Sequence, residues 1–427
     1  MTAAAAVAAP AVAAAAVQTA RAVVGAVVVA AVAAEDRFGL GWRGPLAAGI
    51  LSSLEQLDCL EIIAEQYAHL PLQQQRALQY LSKHIPITLH GVSLGLAGST
   101  PPPPWRIENL ARLSDELKAE TVSEHLAFVR AVAVKTDGTS NPHNSASIEI
   151  GHLAAPPRNG ASIEQACEHI RAVQSLCARP LLVENIPSLI TPLGSDLTES
   201  QWLGQILQQS GAPFLLDLEN LYANAVNRGE NPIDHLLKLP LAQVHTVHLS
   251  GGTWVDIPWQ ATTQRRFLDD HRNDILPEVF ELLTRVAAQA PQNLTVIIER
   301  DGNYPAMDKL LAQLAQAKLA VARGRQNAPT LIQRHASPLT TRSISTQSDN
   351  KRIEYLLAEI FCNAKQRQLF VQNPYEFLQS LNLKHLEEDI TNMDWAGLLL
   401  MARSVAAKNP TALAGRARSA EITEHAF

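Results

Sequence analysis

The sequence has few cysteines and few charged residues. Its four cysteines, among 427 residues, are scattered and form neither a C-x-x-C pair nor a disulfide framework. A reducing compartment fits such a set best, and we therefore expect a cytoplasmic protein. Charged residues make up 18% of the chain and sum to a formal net charge of -6. This balance argues against the strongly basic surface of a nucleic-acid-binding protein and allows a site rich in carboxylates.

The N-terminus lacks the features of a targeting segment. Residues 2–34 are almost wholly Ala and Val, but no basic residue precedes this apolar stretch, as a signal peptide would require. Ala is a poor lipid-facing residue, and Arg21 falls in the middle of the stretch, which argues against a membrane span. We expect residues 1–36 to be a low-complexity extension and the protein to act without a membrane.

Short apolar runs alternate with longer amphipathic stretches from Phe38 to about Val321. The runs that we predict to be strands are 85–89, 121–123, 181–183, 214–216, 244–249 and 295–298. The stretches that we predict to be helices are 54–67, 163–176, 199–209 and 277–288. About 280 residues with six visible strands, and room for two weaker ones, suit a TIM-type (β/α)₈ barrel. A doubly wound sheet is the alternative, but no Gly-rich phosphate loop follows the first strand.

The chain is long enough for one large catalytic domain and a small appendage. We predict that residues 37–325 form the barrel domain. Residues 326–350 are polar and rich in Ser and Thr, which predicts a linker. Residues 351–410 carry apolar positions at helical spacing, beginning with Ile353, Leu356 and Leu357, and predict a helical C-terminal domain. Residues 411–427 would be a tail.

Side chains of the kinds that bind metals stand at the end of every strand that the pattern shows. The carboxyl ends of TIM-barrel strands face the active site, so such residues are candidates for function. They are His90, Glu124, His125, Glu184, Asp217, His248 and Glu299.

Two short spacings add to this set. Asp217 and Asn220 lie three residues apart where a strand passes into a loop, so both can turn toward one site. Asp269 and His271 stand at i and i+2, which would place both on one side of an extended segment. Imidazole and carboxylate ligands without cysteine suit zinc, manganese or iron. Their number exceeds what one ion needs and indicates a cluster.

Each of these residues also has a purely structural interpretation. Glu184 could pair with Arg300, Glu299 could pair with a neighbouring cation, and Asp217 and Asn220 could cap the next helix. So many such residues around one predicted mouth favour a metal site, because converging carboxylates repel one another unless cations neutralise them.

The same segments resemble a known family, the multinuclear non-haem iron oxidases that include the methanobactin-biosynthesis oxidase. The matching stretches, in chain order, are GLGWR (39–43), LHGVSLGL (89–96), VSEHLAF (122–128), LLVENI (181–186), LLDLENLYANA (215–225), VHLSGG (247–252), LDDH (268–271) and IERDGN (298–303). This family is similar to the TIM barrels of the xylose-isomerase and apurinic-endonuclease type. The Ala-rich start and the helical segment after residue 350 lie outside the resemblance.

The resemblance implies two or three irons, with Glu184 as the bridging ligand and dioxygen as co-substrate. The implied metal ligands are His90, His125, Glu184, Asp217, Asn220, His248, Asp269, His271 and Glu299. Of these, Glu184, Asp217, His248 and Glu299 are the implied catalytic residues. The substrate would be a ribosomally made precursor peptide, modified at cysteine or near its C-terminus. A partner protein, or the C-terminal segment acting in cis, would help to recognise the peptide.

Two other functions remain open on the same residues. One is a redox-neutral zinc or manganese enzyme, such as a phosphodiesterase or a sugar isomerase. The other is a non-catalytic peptide-binding scaffold with a vestigial barrel. The complete set of ligand-type residues argues against the scaffold, because a vestigial site is expected to have lost some of them.

Overall fold

The structure is a computed structural model that describes residues 35–134, 147–259, 262–327 and 346–408. The predicted Ala-rich extension up to residue 34, most of the predicted linker and the predicted tail lie outside these residues. The division of the chain into domains therefore stays a prediction.

Eight parallel strands close into a barrel, as the alternation of the sequence predicts. They are β1 (Arg37–Gly41), β2 (Cys59–Ile63), β3 (Ile87–Gly91), β4 (Thr121–His125), β7 (Leu181–Glu184), β8 (Phe214–Asp217), β9 (Val244–Leu249) and β12 (Thr295–Ile298). Around the barrel they follow the order β1-β12-β9-β8-β7-β4-β3-β2. The six predicted strands are all present, and β1 and β2 are the two weaker ones.

Helices surround the barrel. They are α1 (Ala47–Ser52), α2 (Ala64–His69), α3 (Leu72–Leu81), α4 (Pro104–Glu116), α5 (Gly160–Leu176), α6 (Glu199–Ser210), α7 (Leu218–Asn227), α8 (Pro232–Leu236), α9 (Pro277–Gln289) and α10 (Met307–Gln326). Short 3-10 helices lie at Gly44–Leu46, Leu54–Gln56 and Leu241–Gln243. Buried apolar side chains from strands and helices form one continuous core, to which Leu89, Val183, Leu216 and Val247 belong. Each of these four precedes a ligand-type residue, and the alternation along a strand turns that next side chain to the opposite face.

The predicted helix at 54–67 is wrong. Residues 54–56 form a 3-10 turn, residues 59–63 form the barrel strand β2, and only from Ala64 does the chain become helical. All five residues of β2 are buried. A strand buried on both faces reads as a continuous apolar run, so its spacing does not distinguish it from a helix. Because this strand was not predicted, the carboxylate at its centre, Glu61, is absent from the predicted site residues.

Two antiparallel hairpins extend from the barrel. One pairs β5 (Phe128–Val132) with β6 (Ser147–Ala154), and the other pairs β10 (Gly252–Trp259) with β11 (Thr262–Asp269). Both begin within a few residues of barrel strands that carry ligand-type side chains, so they lie on the mouth side of the barrel.

The C-terminal part is helical, as predicted. Its helices are α11 (Gln347–Cys362), α12 (Ala364–Gln372), α13 (Pro374–Ser380), α14 (Glu387–Thr391) and α15 (Trp395–Lys408), with a 3-10 turn at Lys384–Leu386. α11 begins four residues inside the segment predicted as linker. Its apolar stripe shares a hydrophobic cluster with the β5–β6 hairpin, including Phe128 and Ile150. The helices therefore pack directly on the barrel domain.

Among the described residues, none of the helices combines the length and the apolar character needed to cross a membrane.

Candidate metal centre

Glu184, the last residue of β7, lies at the centre of the barrel mouth and is almost fully buried. Its Oε2 is 3.6 Å from His90 Nε2 and 3.4 Å from His125 Nε2. Its Oε1 is 3.4 Å from His248 Nδ1. The two oxygens of one carboxylate therefore face different imidazoles. This arrangement follows from strand register, because His125 is the direct neighbour of Glu184 across β4 and β7.

The ring of His90 is fixed by its neighbour on the next strand. Ser123 lies beside His90 in the β3–β4 register, and its hydroxyl is 2.8 Å from His90 Nδ1. This hydrogen bond leaves Nε2 to face Glu184. The adjacent Glu124 accepts hydrogen bonds from the backbone N–H groups of Leu94 and His125, both at 2.9 Å. Glu124 thus anchors the segment after β3.

Asn185 clamps the end of β8. Its side chain donates to Asp217 O and accepts from Asp217 N, both at 2.9 Å. Asp217 Oδ1 accepts from Asn220 N at 2.6 Å, so Asp217 does cap α7 as its structural interpretation proposed. Asn220 Nδ2 donates to Asn185 O at 3.1 Å. Among the described residues, Asp217 Oδ2 and Asn220 Oδ1 have no hydrogen-bond partner. Each side chain therefore has one oxygen available to bind a metal ion.

Glu299 follows β12 and is balanced by a cation from the segment after β1. Its Oε2 is 3.3 Å from His248 Nδ1, and its Oε1 is 3.4 Å from Arg43 Nη2. Arg43 also donates from Nε to Asp301 at 2.6 Å. Burial raises the pKa of the Glu299 carboxyl, but His248, His271 and Arg43 together hold it well below its ordinary value. Arg300, by contrast, donates to backbone carbonyls and does not reach Glu184.

The pair Asp269 and His271 is brought together by a turn and not by the extended segment predicted. Asp269 ends β11, and His271 has a φ of 52°, a left-handed conformation that is uncommon for a residue other than glycine. His271 Nε2 lies 2.9 Å from Asp269 Oδ1, while Nδ1 lies 3.5 Å from Glu299 Oε2 and 3.2 Å from Asp301 Oδ2. The sequence interpretation did not include Asp301.

Another residue that the interpretation missed is Glu61 of β2. Its Oε2 is 3.0 Å from His248 Nε2, and both side chains are buried. Because residues 54–67 were expected to be a helix, no strand end was expected there. The single carboxylate within the otherwise apolar run CLEII is the one signal that could have found it.

The donors suit metal ions. In the described part of the chain, four sets of three donor atoms lie within 4.8 Å of one another: His90, His125 and Glu184; Glu61, His248 and Glu299; Glu184, Asp217 and His248; Asp217, His271 and Glu299. Several buried atoms that could bind a metal have no hydrogen-bond partner among the described residues. They are Glu184 Oε2, Asp217 Oδ2, Asn220 Oδ1 and the Nδ1 atoms of His125, His248 and His271. Buried polar atoms are seldom left unpaired, so this concentration fits bound cations. Asp269 belongs to none of the four sets and instead pairs with His271.

Without a cation, the charges of the site are poorly matched. Burial, Asp269 and Glu184 together raise the pKa of Asp217 well above its ordinary value. Burial would lower the pKa of His125, but Glu184 and Glu124 raise it to about 9. Glu219 is fully buried beside this cluster, and burial raises its pKa well above the ordinary value. Buried carboxylates whose ionisation is disfavoured in this way are typical of metal centres, where a bound cation would stabilise their charges.

Over residues 37–322 the sequence matches the family described as RiPP precursor modification enzyme MbnB/TglH/ChrH, which acts on precursors of ribosomally synthesised and post-translationally modified peptides. The chain belongs to this family. The match confirms the family that the motifs indicate, and it covers the whole barrel.

Proteins from other organisms are similar to this chain. A UPF0276 protein of Streptomyces avermitilis is 34% identical over 278 residues, which are 65% of this chain and 53% of that protein. The chain thus spans about half the length of this relative. A UPF0276 protein of Acaryochloris marina is 31% identical over 282 residues, 65% of this chain and 92% of that protein.

Among solved structures, the D-psicose 3-epimerase of Clostridium cellulolyticum H10 covers 68% of this chain and 99% of its own, with a TM-score of 0.41 and 14% identity. A likeness this distant carries no functional argument.

Proposed function

We propose that the protein is a multinuclear non-haem iron oxidase that uses dioxygen to modify a ribosomally synthesised precursor peptide, at a cysteine or near the C-terminus of the peptide. The observation that carries the proposal is the position of Glu184 between the imidazoles of His90, His125 and His248. A carboxylate whose two oxygens face different imidazoles suits a bridge between two ions. Membership of a family that acts on RiPP precursors supports the peptide as substrate.

The residues that would hold two or three irons are the nine at the barrel mouth. They are His90, His125, Glu184, Asp217, Asn220, His248, Asp269, His271 and Glu299. Four of them, Glu184, Asp217, His248 and Glu299, would lie closest to the reacting atoms, because Glu184 and Glu299 both face His248 Nδ1 and Asp217 shares a donor set with Glu184 and His248. Iron bound there would supply the redox chemistry, with dioxygen as the oxidant of the peptide.

The protein itself would orient the ligands and exclude water. The Asn185 clamp holds Asp217 and Asn220 in place, and Ser123 fixes the ring of His90. His248, His271 and the buried Arg43 together hold the pKa of the Glu299 carboxyl well below its ordinary value, so Glu299 would bind a cation without first releasing a proton. The strands and the segments that follow them would thus form one preorganised mouth.

We extend the proposal to the C-terminal helices, which would present the precursor peptide in cis. The family resemblance implies a separate partner protein for this task, and the packing of α11 on the β5–β6 hairpin brings the helices to the mouth side of the barrel. The competing role is a packing or dimerisation element. Truncation separates the two, as described in the Discussion.

A cytoplasmic location is part of the proposal. The four cysteines are free, and three of them are buried. Such thiols fit a reducing compartment.

Metal analysis after anaerobic purification tests the function most simply. Iron in the protein, with oxygen consumed only when a precursor peptide is added, is the expected result. Zinc or manganese together with phosphodiesterase or isomerase activity would instead support a redox-neutral enzyme. Tight peptide binding without metal and without turnover would support the scaffold.

A further inference from the structure

Glu61 is a buried carboxylate that none of the proposed ligand roles includes. It lies in the middle of β2 and is 1% exposed. Its Oε2 makes a hydrogen bond of 3.0 Å with His248 Nε2, and the Thr88 hydroxyl lies 3.5 Å from the same oxygen. Its Oε1 has no hydrogen-bond partner in the ranges that the structure describes.

The two nitrogens of His248 have different surroundings. Nε2 is hydrogen-bonded to Glu61, whereas Nδ1 lies 3.4 Å from Glu184 Oε1 and 3.3 Å from Glu299 Oε2. Nδ1 makes no hydrogen bond within the described residues. It therefore faces two carboxylates that are themselves proposed ligands. Nδ1, and not Nε2, is the nitrogen that points to the metal centre.

The distance at Nε2 is that of a hydrogen bond. A metal bound to an imidazole lies about 2.1 Å from the nitrogen, along the direction in which an N–H bond would point. In His248 that direction leads to Glu61 Oε2 at 3.0 Å, the ordinary length of an N–H···O hydrogen bond. An imidazole that donates there carries its proton on Nε2 and has a free electron pair on Nδ1.

We propose that Glu61 is a positioning residue for the metal centre, which accepts the Nε2–H of His248 and thereby keeps Nδ1 turned toward Glu184 and Glu299 as the metal-binding nitrogen. The inference rests on the proposed metal-binding function of this site. Carboxylate partners of metal-bound histidines fix the ring and its tautomer and increase its basicity as a ligand. Glu61 then acts only through His248.

A double-mutant cycle tests this dependence. Binding of Fe(II) is titrated under anaerobic conditions to the full-length wild type, Glu61→Ala, His248→Ala and the double variant. Glu61→Ala should weaken binding by about 10- to 100-fold, the usual effect of losing such a partner. In the His248→Ala background the same change should have no further effect, because the residue through which Glu61 acts is gone.

Two outcomes would overturn the inference. If Glu61→Ala weakens binding by the same factor with and without His248, Glu61 is itself a ligand. If it leaves binding unchanged with His248 present, Glu61 has no role in the metal centre. Glu354→Gln is the matched control, since it alters another buried carboxylate that bonds to Ser99 and belongs to none of the donor sets, and should leave Fe(II) affinity unchanged.

A second variant keeps the test decisive if Glu61→Ala folds poorly. Glu61→Gln preserves the shape of the side chain but removes its charge, and should weaken Fe(II) binding roughly 10-fold. The Mössbauer quadrupole splitting of the bound iron should change as well, since the ligand strength of His248 changes. Unchanged affinity and an unchanged spectrum would overturn the inference. If the wild type does not bind Fe(II), the iron proposal fails. The same cycle is then run with Zn²⁺ or Mn²⁺, and the positioning role predicts that Glu61→Ala weakens the binding of these ions only when His248 is present.

Discussion

Glu354 of α11 accepts hydrogen bonds from both the backbone N–H and the hydroxyl of Ser99, at 2.9 Å and 2.6 Å. Ser99 belongs to the segment that follows β3, so this contact joins the C-terminal helices to the loop after His90. Burial raises the pKa of Glu354 to about 8, although the bonds from Ser99 and the charges of Lys351 and Arg130 lower it. The carboxyl is therefore protonated in the folded protein at neutral pH.

This contact predicts a pH-dependent stability. Between the ordinary pKa of a glutamate and the raised value in the folded protein, the folded state binds a proton that the unfolded chain has released. This bound proton stabilises the folded state fully below about pH 4.5. The stabilisation is lost as the pH rises to about 8, and the free energy of unfolding falls by at most about 1.4 kcal/mol per pH unit. Glu354→Gln removes this dependence. The Tm of the variant, relative to that of the wild type, should therefore increase as the pH rises through this window. A Tm difference that does not vary with pH would contradict the assignment.

Asp217→Asn should have opposite effects in the presence and absence of metal. In chelator it should raise the free energy of unfolding, because it removes a carboxyl whose ionisation is disfavoured by burial and by the charges of Asp269 and Glu184. With Fe(II) it should be less stable than the wild type, because Asp217 no longer provides an anionic ligand. Thermal unfolding under both conditions measures this. Asp301→Asn is the control: its carboxylate pairs with Arg43 and His271, so its loss should destabilise the protein in chelator too.

The Asn185 clamp predicts a loss of both stability and metal. Asn185→Ala leaves the buried backbone N–H and C=O of Asp217 without their partner, which costs about 1–3 kcal/mol for each unsatisfied group. Iron content should fall as well, because Asp217 and Asn220 lose their fixed orientation. Asn185→Asp keeps the acceptor for Asp217 N and should retain more iron than the alanine variant. Equal iron in all three proteins would show that the clamp does not orient the site.

Truncation after Arg325 tests the presenting role of the C-terminal helices. The nine proposed ligands all precede this point, so iron should be retained. Phe128 and Ile150 lose their cover, and the Tm should fall. Peptide binding should weaken sharply if the helices present the substrate, and adding residues 346–427 in trans should restore part of the activity. If the truncated barrel binds and oxidises the peptide as well as the full chain does, the helices have no presenting role.

The barrel could be predicted because each strand that was found is a short apolar run ending in a polar side chain. β2 escaped because CLEII is buried on both faces and continues into a helix, so its spacing resembles that of a helix. The C-terminal helices could be predicted from their stripe of apolar residues, but not the surface that they cover. That surface includes a hairpin whose second strand follows residues outside the described ranges.

The predicted site residues gather at one mouth, since parallel strands all end on the same side. Spacing along the chain could not show how they pair. Arg43 reaches Glu299 and Asp301 across a separation of more than 250 residues. The left-handed backbone of His271 likewise depends on its contacts with the residues after β12, among them the bond from Asp301 N to His271 O. Such pairings are set by tertiary structure alone.

The iron content of Glu184→Ala tests the central claim most directly. Wild-type protein purified without oxygen should contain about two to three irons per chain, from the number of ligands and ordinary coordination numbers. Because Glu184 faces imidazoles with both oxygens, its loss should remove more than one ion, whereas Glu354→Gln should remove none. Elemental analysis of the three proteins, with Tm measured in parallel, gives the answer. Full iron retention in folded Glu184→Ala, or a wild type that holds no iron, would contradict the account.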